Sequence, residues 1–476
     1  MHISGRSGPA RRAYISKRTI YPHIYRMSIG IKIKKGLDLH LEGAVSDPLD
    51  VIECPAATVA VIPDDFEGFV PKMDVREGDH VLAGQPLMHH KLSEQIKLVS
   101  PAEGTVKAVV RGERRKILRV EVEVDSAAQG AVVFDVAHAA ESADKAKELL
   151  MQSGLWAMMR QRPYDIVPEA GAEIRDVFVT GFDSAPLAHT PAEFSEEQRR
   201  CFAAGVKLLQ AITKGKVYVS RRKGEDLPDI PGAEMADICG PHPSGNAGTM
   251  IAAIRPVNKG ETVVCLSLDT LDRIGALMLT GKVPMATVVA VTGSEVEHPR
   301  LVRTLIGADM ADLLKGDVKN DSRHHRIISG NVLTGHLSSL DDYLHFPYTQ
   351  ITVIPEGDDV AEFMGWASLS PRKMSVSPSF PGHFLGKKLF NPDARLLGGR
   401  RAMIMSGEYD KMIPMDILPE YLIKAILAHD IDRMEQLGIY EVAPEDFALA
   451  EYADTSKLEL QKIVREGLDY LRKELE

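Results

Sequence analysis

Short apolar runs separated by turn residues fill residues 59–124, whereas apolar residues at helical spacing enter the pattern from about Ala143. The first pattern predicts strands joined by tight turns, for which Gly78-Asp79 and Glu103-Gly104 are suitable. The second pattern predicts strands that alternate with helices, as in a layered α/β domain with a largely parallel sheet. A chain of 476 residues is also too long for one hydrophobic core, so we predict several domains.

Three β-branched and aromatic runs of strand length define the predicted α/β domain. The predicted strands are Asp176–Thr180, Lys216–Ser220 and Thr262–Leu266. The predicted helices, which carry apolar residues at helical spacing, are Glu193–Thr213 and Asp269–Thr280. We therefore predict a Rossmann-like α/β domain over residues 143–285.

Two further regions follow the α/β domain. Strand Thr287–Val291 and helix Pro299–Leu314 are predicted within a small module over residues 287–338. Residues 339–476 are predicted to form a connector and a helical region. The last helix is predicted over Ser456–Glu476, because its apolar residues form one stripe along the helix. That stripe comprises Leu460, Ile463, Val464, Leu468 and Leu471.

The formal net charge of −10 argues against a nucleic-acid partner, because phosphate binding draws on a basic surface. The first 26 residues nevertheless contain six basic and no acidic residues. We predict a disordered basic leader over residues 1–28, with Met27 as an alternative start of translation. Contact of this leader with anionic lipid is the other interpretation.

Several kinds of site are not predicted. No run of about 18 uninterrupted apolar residues marks a membrane-spanning helix. The four cysteines lie far apart and form no Cys-x-x-Cys pair, so neither a zinc ribbon nor an iron–sulfur loop is predicted. The pairs His89-His90 and His324-His325 are predicted to be surface histidines rather than metal ligands, since adjacent side chains on a strand point apart and a metal site needs converging ligands. Phosphate-binding loops and the nucleophile and zinc motifs of hydrolases are also missing from the sequence.

Five tracts occur in an order typical of one protein family. They are Ile31–Leu39, Gln152–Trp156, Gly240–Gly245, Ser329–Gly335 and Gly398–Pro419. Together they resemble NqrA of the Na+-translocating NADH:quinone oxidoreductase (Na+-NQR), a bacterial respiratory sodium pump. The resemblance implies a multidomain α/β and β fold. Its parts are a barrel-sandwich domain over residues 29–130, the Rossmann-like domain, a β-grasp (SLBB-like) module over 287–338 and a C-terminal helical region.

The barrel segment resembles biotinyl and lipoyl carriers in its tracts Val75–Val81 and Ser100–Val106. Such carriers present a lysine between methionines at a hairpin tip. Here Lys91–Glu94 places Ser93 near that position, with no flanking methionine. We therefore predict a structural barrel rather than a carrier.

The order of domains also resembles the flavin-binding protein of respiratory complex I and RnfC of the Rnf complex. In those relatives a glycine-rich loop approaches the flavin phosphate, whereas Gln152–Arg160 contains Trp156, Met158 and Met159. The cysteines that bind iron–sulfur clusters in those relatives are missing from Phe447–Asp454. We therefore expect no cofactor on this chain. The resemblance assigns NADH, flavins, iron–sulfur centres and quinone to partner subunits.

The best candidate for a functional loop is Gly240–Gly248. Gly240 and Gly245 let a ligand come close to the backbone, and His242, between two prolines, titrates near neutral pH. A quinone carbonyl accepts hydrogen bonds, so these three residues are candidates for lying near quinone. The alternative is a rigid turn whose histidine is satisfied internally. No catalytic or metal-binding residue is predicted.

The resemblance implies a peripheral protein on the cytoplasmic face of the bacterial inner membrane. The whole enzyme would couple NADH oxidation and quinone reduction to Na+ export, and this chain would perform no redox chemistry alone. It is expected to dock on the other five members of the six-subunit complex, NqrB to NqrF, chiefly the membrane protein NqrB, and to contribute to quinone access. The alternatives are a cofactor-free scaffold and an electron-transfer protein like RnfC.

Overall fold

The computed structural model describes residues 28–46, 50–128, 130–191, 193–319, 323–358, 360, 370–371, 373–376, 380–385 and 388–475. Within those residues the strands form two sheets of six strands, one of four and one of three. The predicted basic leader lies outside the described residues, except for Ser28.

Two antiparallel sheets form the barrel-sandwich domain. Two short strands precede it, β1 (Ile29–Lys32) and β2 (Val51–Glu53). The barrel strands are β3 (Thr58–Val61), β4 (Pro71–Met73), β5 (His80–Val81), β6 (Pro86–His90), β7 (Ser93–Val99), β8 (Gly104–Arg111) and β9 (Ile117–Val124). They pair in the orders β3-β9-β8-β5 and β4-β6-β7. Alternation is visible in β8, where Gly104 and Val106 are buried and Thr105 and Lys107 are exposed.

The α/β domain has one sheet with helices packed against it. Its elements are α1 (Ala143–Gln152), β10 (Arg160–Arg162), β11 (Ile174–Thr180), α2 (Glu196–Ile212), β12 (Val217–Arg222), β13 (Glu234–Cys239), α3 (Ala247–Ile254), β14 (Thr262–Ser267) and α4 (Leu268–Thr280). The sheet order is β1-β13-β12-β11-β14-β10, parallel except for β10. The carboxyl ends of the parallel strands therefore meet at one edge, where open α/β sheets usually place their sites.

The third unit is a mixed sheet with one short helix. Its elements are β15 (Ala286–Thr292), β16 (Arg300–Leu305), α5 (Met310–Leu314), β17 (His325–Ser329), β18 (His336–Ser338) and β19 (Gln350–Pro355). The sheet order is β18-β17-β19-β15-β16-β2. The predicted helix Pro299–Leu314 is wrong over its first half, because β16 forms there and pairs with β15. Leu301, Val302 and Thr304 are buried on that strand, and β-branched residues favour a strand.

The first two strands pair far from their place in the sequence. In β1, Ile31 lies opposite Ile238 of β13, and in β2, Ile52 lies opposite Val302 of β16. Residues 29–53 thus add one edge strand to each of the two six-stranded sheets, although they were predicted to open the barrel domain. The first strand of the barrel sheets is β3, which begins at Thr58.

Five helices form the C-terminal region around their own hydrophobic core. They are α6 (Tyr409–Met412), α7 (Pro419–Leu427), α8 (Ile431–Gln436), α9 (Ala448–Ala453) and α10 (Leu460–Leu475). The stripe predicted on the last helix packs into that core, with Leu460, Val464, Leu468 and Leu471 fully buried. Residues 399–405, in the connector before these helices, run outside the sheets. Among the described residues, no helix is long and apolar enough to cross a membrane.

Candidate functional site

The predicted loop follows β13 at the carboxyl edge of the α/β sheet and leads into α3. It begins with Gly240, whose φ of 143° favours glycine. A Cβ on Gly240 would lie 2.5 Å from the carbonyl oxygen of Ile33, in the segment after β1. The start of the loop therefore requires glycine for both conformation and space.

The side chain of His242 is buried in this loop, at 4% exposure, and its two ring nitrogens differ in environment. Nδ1 lies 3.0 Å from Ser184 Oγ. Ser184 Oγ also accepts the amide proton of Gly245 at 2.9 Å, so its own hydroxyl proton is free to donate to Nδ1. With that donation, the neutral ring would carry its proton on Nε2. No described residue accepts a hydrogen bond from that buried atom.

The backbone of His242 is fixed by the segment after β1. Its amide donates to Asp38 Oδ1 at 2.9 Å, and its carbonyl accepts from the amide of Leu37 at 2.9 Å. A Cβ on Gly36 would overlap that same carbonyl. The tract Ile31–Leu39, singled out in the sequence for another reason, thus forms one wall of the loop.

Gly245 lies against the segment that follows β11. A Cβ there would lie 2.7 Å from the backbone nitrogen of Ser184, so the close approach requires glycine. Gly240, His242 and Gly245 therefore lie in one compact site, walled by residues 33–38 and 182–184. Burial lowers the pKa of His242, and the carboxylates of Asp183 and Asp38, together with a hydrogen bond to the Ser184 backbone, oppose that shift without reversing it.

A buried ion cluster beside α3 was not predicted from the sequence. Arg162, on β10, has a side chain only 1% exposed and donates to Asp446 Oδ2 at 3.0 Å and to Glu445 Oε1 at 2.9 Å. A Cβ on Gly248 would overlap the Asp446 carboxylate, which places this cluster at the first turn of α3. Burial raises the pKa of Asp446, whose side chain is 3% exposed, and the attraction of Arg162 lowers it in part, whereas the Glu445 side chain is 42% exposed at the edge of the cluster.

A second polar cluster joins the barrel domain to the third unit and was also missed. His345 Nδ1 lies 2.6 Å from Asp65 Oδ1, and the His345 ring stacks on His336 at 4.9 Å. Burial acts to lower the pKa of His345, but the Asp65 carboxylate outweighs it, so that pKa is raised. His336 is exposed on β18, and its pKa is lowered by partial desolvation of the ring and by its neighbour His345. Asp65 and His345 are 280 residues apart in the sequence, so no local signal marked their contact.

The tract Gln152–Arg160, compared with a flavin loop in the sequence analysis, is filled by side chains. Trp156 is fully buried, and its indole N–H donates to the carbonyl of Pro168 at 2.6 Å. A Cβ on Gly154 would lie 2.9 Å from Val99 Cγ2. A cavity of about 30 Å³ remains between Met158 and the barrel. That volume holds one or two water molecules.

The histidine pairs differ from the prediction in part. His89 is buried, with Nδ1 2.6 Å from Asp74 Oδ1, because it faces inward on β6. His90 is half-buried, and its Nε2 lies 3.2 Å from the carbonyl of Gly68. His324 is exposed as predicted, whereas the side chain of His325 is only 13% exposed, beside buried Glu295. In the described parts of the chain, no three His, Cys, Asp or Glu residues converge as a metal site would require.

Three family profiles match the chain in order. They describe the NqrA N-terminal barrel-sandwich hybrid domain at residues 31–125, the NqrA second alpha/beta domain at 141–283 and the NQRA C-terminal domain at 288–339. These matches confirm the predicted fold class. The last of the three profiles is of the SLBB type expected for that module.

Curated relatives match over almost the whole chain, and those below are named as the NqrA component of the Na(+)-translocating NADH-quinone reductase. The relative from Serratia proteamaculans (strain 568) is 36% identical over 452 residues, which cover 93% of this chain and 100% of the relative. The relative from Saccharophagus degradans is 37% identical, with coverage of 93% and 100%. The chain therefore belongs to the NqrA family and is one component of the multi-subunit Na(+)-translocating NADH-quinone reductase.

Proposed function

We propose that this chain borders the path of the quinone headgroup in the assembled enzyme, through the loop that holds His242. The observation that carries the proposal is the buried Nε2 of His242, which no described residue satisfies. With Nδ1 engaged by Ser184, the neutral ring offers an N–H donor, and a quinone carbonyl is an acceptor that fits it. A buried donor without an acceptor costs free energy, so a ligand that supplies one gains affinity.

Because His242 is only 4% exposed, a headgroup would reach it after a displacement of one wall of the loop. The wall formed by residues 33–38 is the better candidate for that displacement. It follows β1, an edge strand of four residues whose burial alternates between half-buried and exposed. The opposite wall follows β11, which is central in the sheet and largely buried.

The test is steady-state kinetics of the assembled enzyme carrying His242→Ala. Loss of one neutral hydrogen bond to the headgroup weakens binding by about 0.5–1.5 kcal/mol, so the KM for quinone should rise a few-fold. NADH oxidation with artificial acceptors should be unchanged. His298→Ala is the matched control, since that side chain is 80% exposed.

A cofactor-free scaffold is the second candidate function, and the same variant separates the two. Unchanged quinone kinetics together with a lowered melting temperature would mean that His242 only braces a turn. The bonds of its backbone to Leu37 and Asp38 are the observation that favours this candidate.

We further propose that the chain docks on the membrane proteins of the complex, chiefly NqrB, at the cytoplasmic face of the bacterial inner membrane. The support is an exposed apolar patch at the start of α7. Its members, between 38% and 58% exposed, are Ile404, Met405, Leu418 and Tyr421. Met, aromatic and aliphatic side chains grouped at a surface are typical of the centre of a protein interface.

Hydrogen bonds to one buried carboxylate hold this patch together. Glu420 is 4% exposed, and its Oε1 accepts from the amides of Ser406 at 3.1 Å and Gly407 at 2.6 Å. The extended tract 404–407 is thereby fixed beside the first turn of α7. Arg400 and Arg401 lie at its other end and are exposed, so the patch fits an apolar partner surface with acidic residues at its rim.

Ile404→Asp and Tyr421→Asp test this docking surface by placing an unpaired charge in it. We expect co-purification with the membrane proteins of the complex to fall at least tenfold, while the melting temperature of the isolated chain stays the same. Leu279→Asp, on an exposed site of α4 at 54% exposure, is the control and should assemble normally. Normal assembly of both patch variants would place the interface elsewhere.

We propose that flavins, iron–sulfur centres and the NADH site lie on partner subunits. The support is the packing of Trp156 and Gly154 in the tract where the complex I and Rnf relatives bind flavin. The absorption spectrum of the natively purified chain is the check. A stoichiometric flavin or iron–sulfur band would contradict this assignment.

A further inference from the structure

We propose that the hairpin between β8 and β9 binds anionic phospholipid head groups, through the four cations of residues 111–116 at its tip. The cations are Arg111, Arg114, Arg115 and Lys116, and all four are exposed. Only one acidic residue, Glu113, lies among them in the sequence. The inference concerns a surface of the barrel domain, apart from both the His242 loop and the apolar patch.

The cations at the tip are mostly not used within the chain. Lys116 pairs with Asp64 at 2.6 Å, but both side chains are more than half exposed, so this pair contributes little. Arg111 donates to the carbonyl of Arg115 at 3.2 Å, which leaves the rest of its guanidinium free. No described residue forms an ion pair with Arg114 or Arg115.

The backbone of the tip is unfavourable for the residues that occupy it. Arg114 and Arg115 both have positive φ, at 51° and 62°, and the amide of Lys116 donates to the carbonyl of Glu113 at 3.0 Å. This is the geometry of a type I′ turn, for which Asn-Gly is strongly preferred. Two arginines are costly in the left-handed region. Because the two arginines make the turn less stable, their presence there points to a function of the two guanidinium groups.

The chemistry of the tip fits lipid better than a protein partner. A protein interface combines charges with a buried apolar centre, whereas the apolar side chain exposed beside the tip is Leu118, at 38%. The planar guanidinium of arginine binds a single phosphate with two hydrogen bonds, and its long side chain can follow lipids that have no fixed spacing. The net charge of the chain is −10, so an anionic bilayer repels the protein as a whole and attracts only its exposed clusters of basic side chains. The hairpin would thus orient the protein on the membrane.

The test uses the full chain and vesicles of phosphatidylcholine and phosphatidylglycerol in a 7:3 ratio. Arg114→Asn/Arg115→Gly removes two cations and installs the preferred turn residues. Binding should weaken by about 30-fold, since each basic residue contributes about fivefold at an anionic surface. The melting temperature of the same variant should rise, by roughly 1–3 °C, because the turn is relieved.

Weaker vesicle binding together with a higher melting temperature would show that the two arginines serve binding and not stability. Arg200→Gln/Lys207→Gln removes the same charge from an exposed face of α2 and is the matched control. It should bind vesicles like the unmodified chain. The basic leader is present in all variants, so its own contribution cancels.

Two results would overturn the proposal. Equal vesicle binding by the Asn-Gly variant would show that the arginines do not contact lipid. Normal vesicle binding combined with lost assembly on the detergent-solubilised membrane proteins of the complex would assign the tip to an acidic protein surface. The vesicles contain no protein, so the lipid-binding result does not depend on the docking proposal. Either of these two proposals can therefore fail while the other holds.

Discussion

Two buried groups, His242 and Arg162, are held by partners from other parts of the chain. His242 bonds to Ser184 and Asp38, and Arg162 pairs with Asp446, 284 residues away. The sequence identified His242 because two prolines and several glycines surround it. It contained no comparable mark for Arg162, because an ion pair across such a separation leaves no local pattern.

The titration of His242 has a defined effect on stability. Its pKa is lowered in the folded chain, so between that value and about 6.5 the unfolded chain binds more protons. Stability should therefore fall as pH drops below about 6.5, with a slope of at most about 1.4 kcal/mol per pH unit. Thermal melting between pH 5 and 8 should show a smaller acid loss in His242→Gln. Parallel pH profiles for the two proteins would mean that the pKa of His242 is the same in the folded and the unfolded chain.

Removing Arg162 should destabilise the chain strongly. Asp446 has a side chain only 3% exposed, and without Arg162 its carboxylate would be buried without a cation. Arg162→Met should cost about 3–5 kcal/mol, measured on the first unfolding transition in urea. Adding Asp446→Asn should recover part of that loss, because it removes the uncompensated charge. A loss in the double variant equal to the sum of the losses of the two single variants would mean that the two groups do not interact.

At the scale of elements, runs of β-branched residues predicted where most strands of the α/β domain lie, but not which strands pair with each other. β11, β12 and β14 formed where predicted, since a buried parallel strand is apolar along its length. β16 was mistaken for a helix because Leu301, Val302 and Leu305 also fit helical spacing. The pairing of β1 and β2 with sheets outside the barrel was not predicted, since strand patterns do not encode which distant strand completes the backbone pairing.

Helices α2 and α4 pack closely through two glycines. A Cβ on Gly275 would overlap the backbone carbonyl of Cys201, and one on Gly205 would lie 2.7 Å from the carbonyl of Leu271. Gly275→Ala should therefore destabilise the domain by about 1–3 kcal/mol, despite the better helix propensity of alanine. Gly171→Ala is the control, because nothing lies within 4 Å of that site. Chemical denaturation should separate the two variants, and an unchanged Gly275→Ala would refute the close helix contact.

At the scale of the whole molecule, three surfaces carry different proposed roles. The His242 loop lies at the carboxyl edge of the α/β sheet, the apolar patch at the start of α7, and the basic hairpin on the barrel. Of these, only the loop was predicted from the sequence. The apolar patch could not be predicted, because in the sequence its residues look like core residues. Only the fold leaves Ile404, Met405, Leu418 and Tyr421 exposed.

The central claim, that this chain borders the quinone path, is tested most directly by photolabelling the assembled enzyme. A photoreactive quinone analogue would be crosslinked, and the labelled peptides identified by mass spectrometry. The account predicts label on this chain, in peptides covering residues 240–245 or the wall at 33–38. That label should be competed by unmodified quinone and reduced in His242→Gln. Label confined to partner subunits, with none on this chain, would contradict the account.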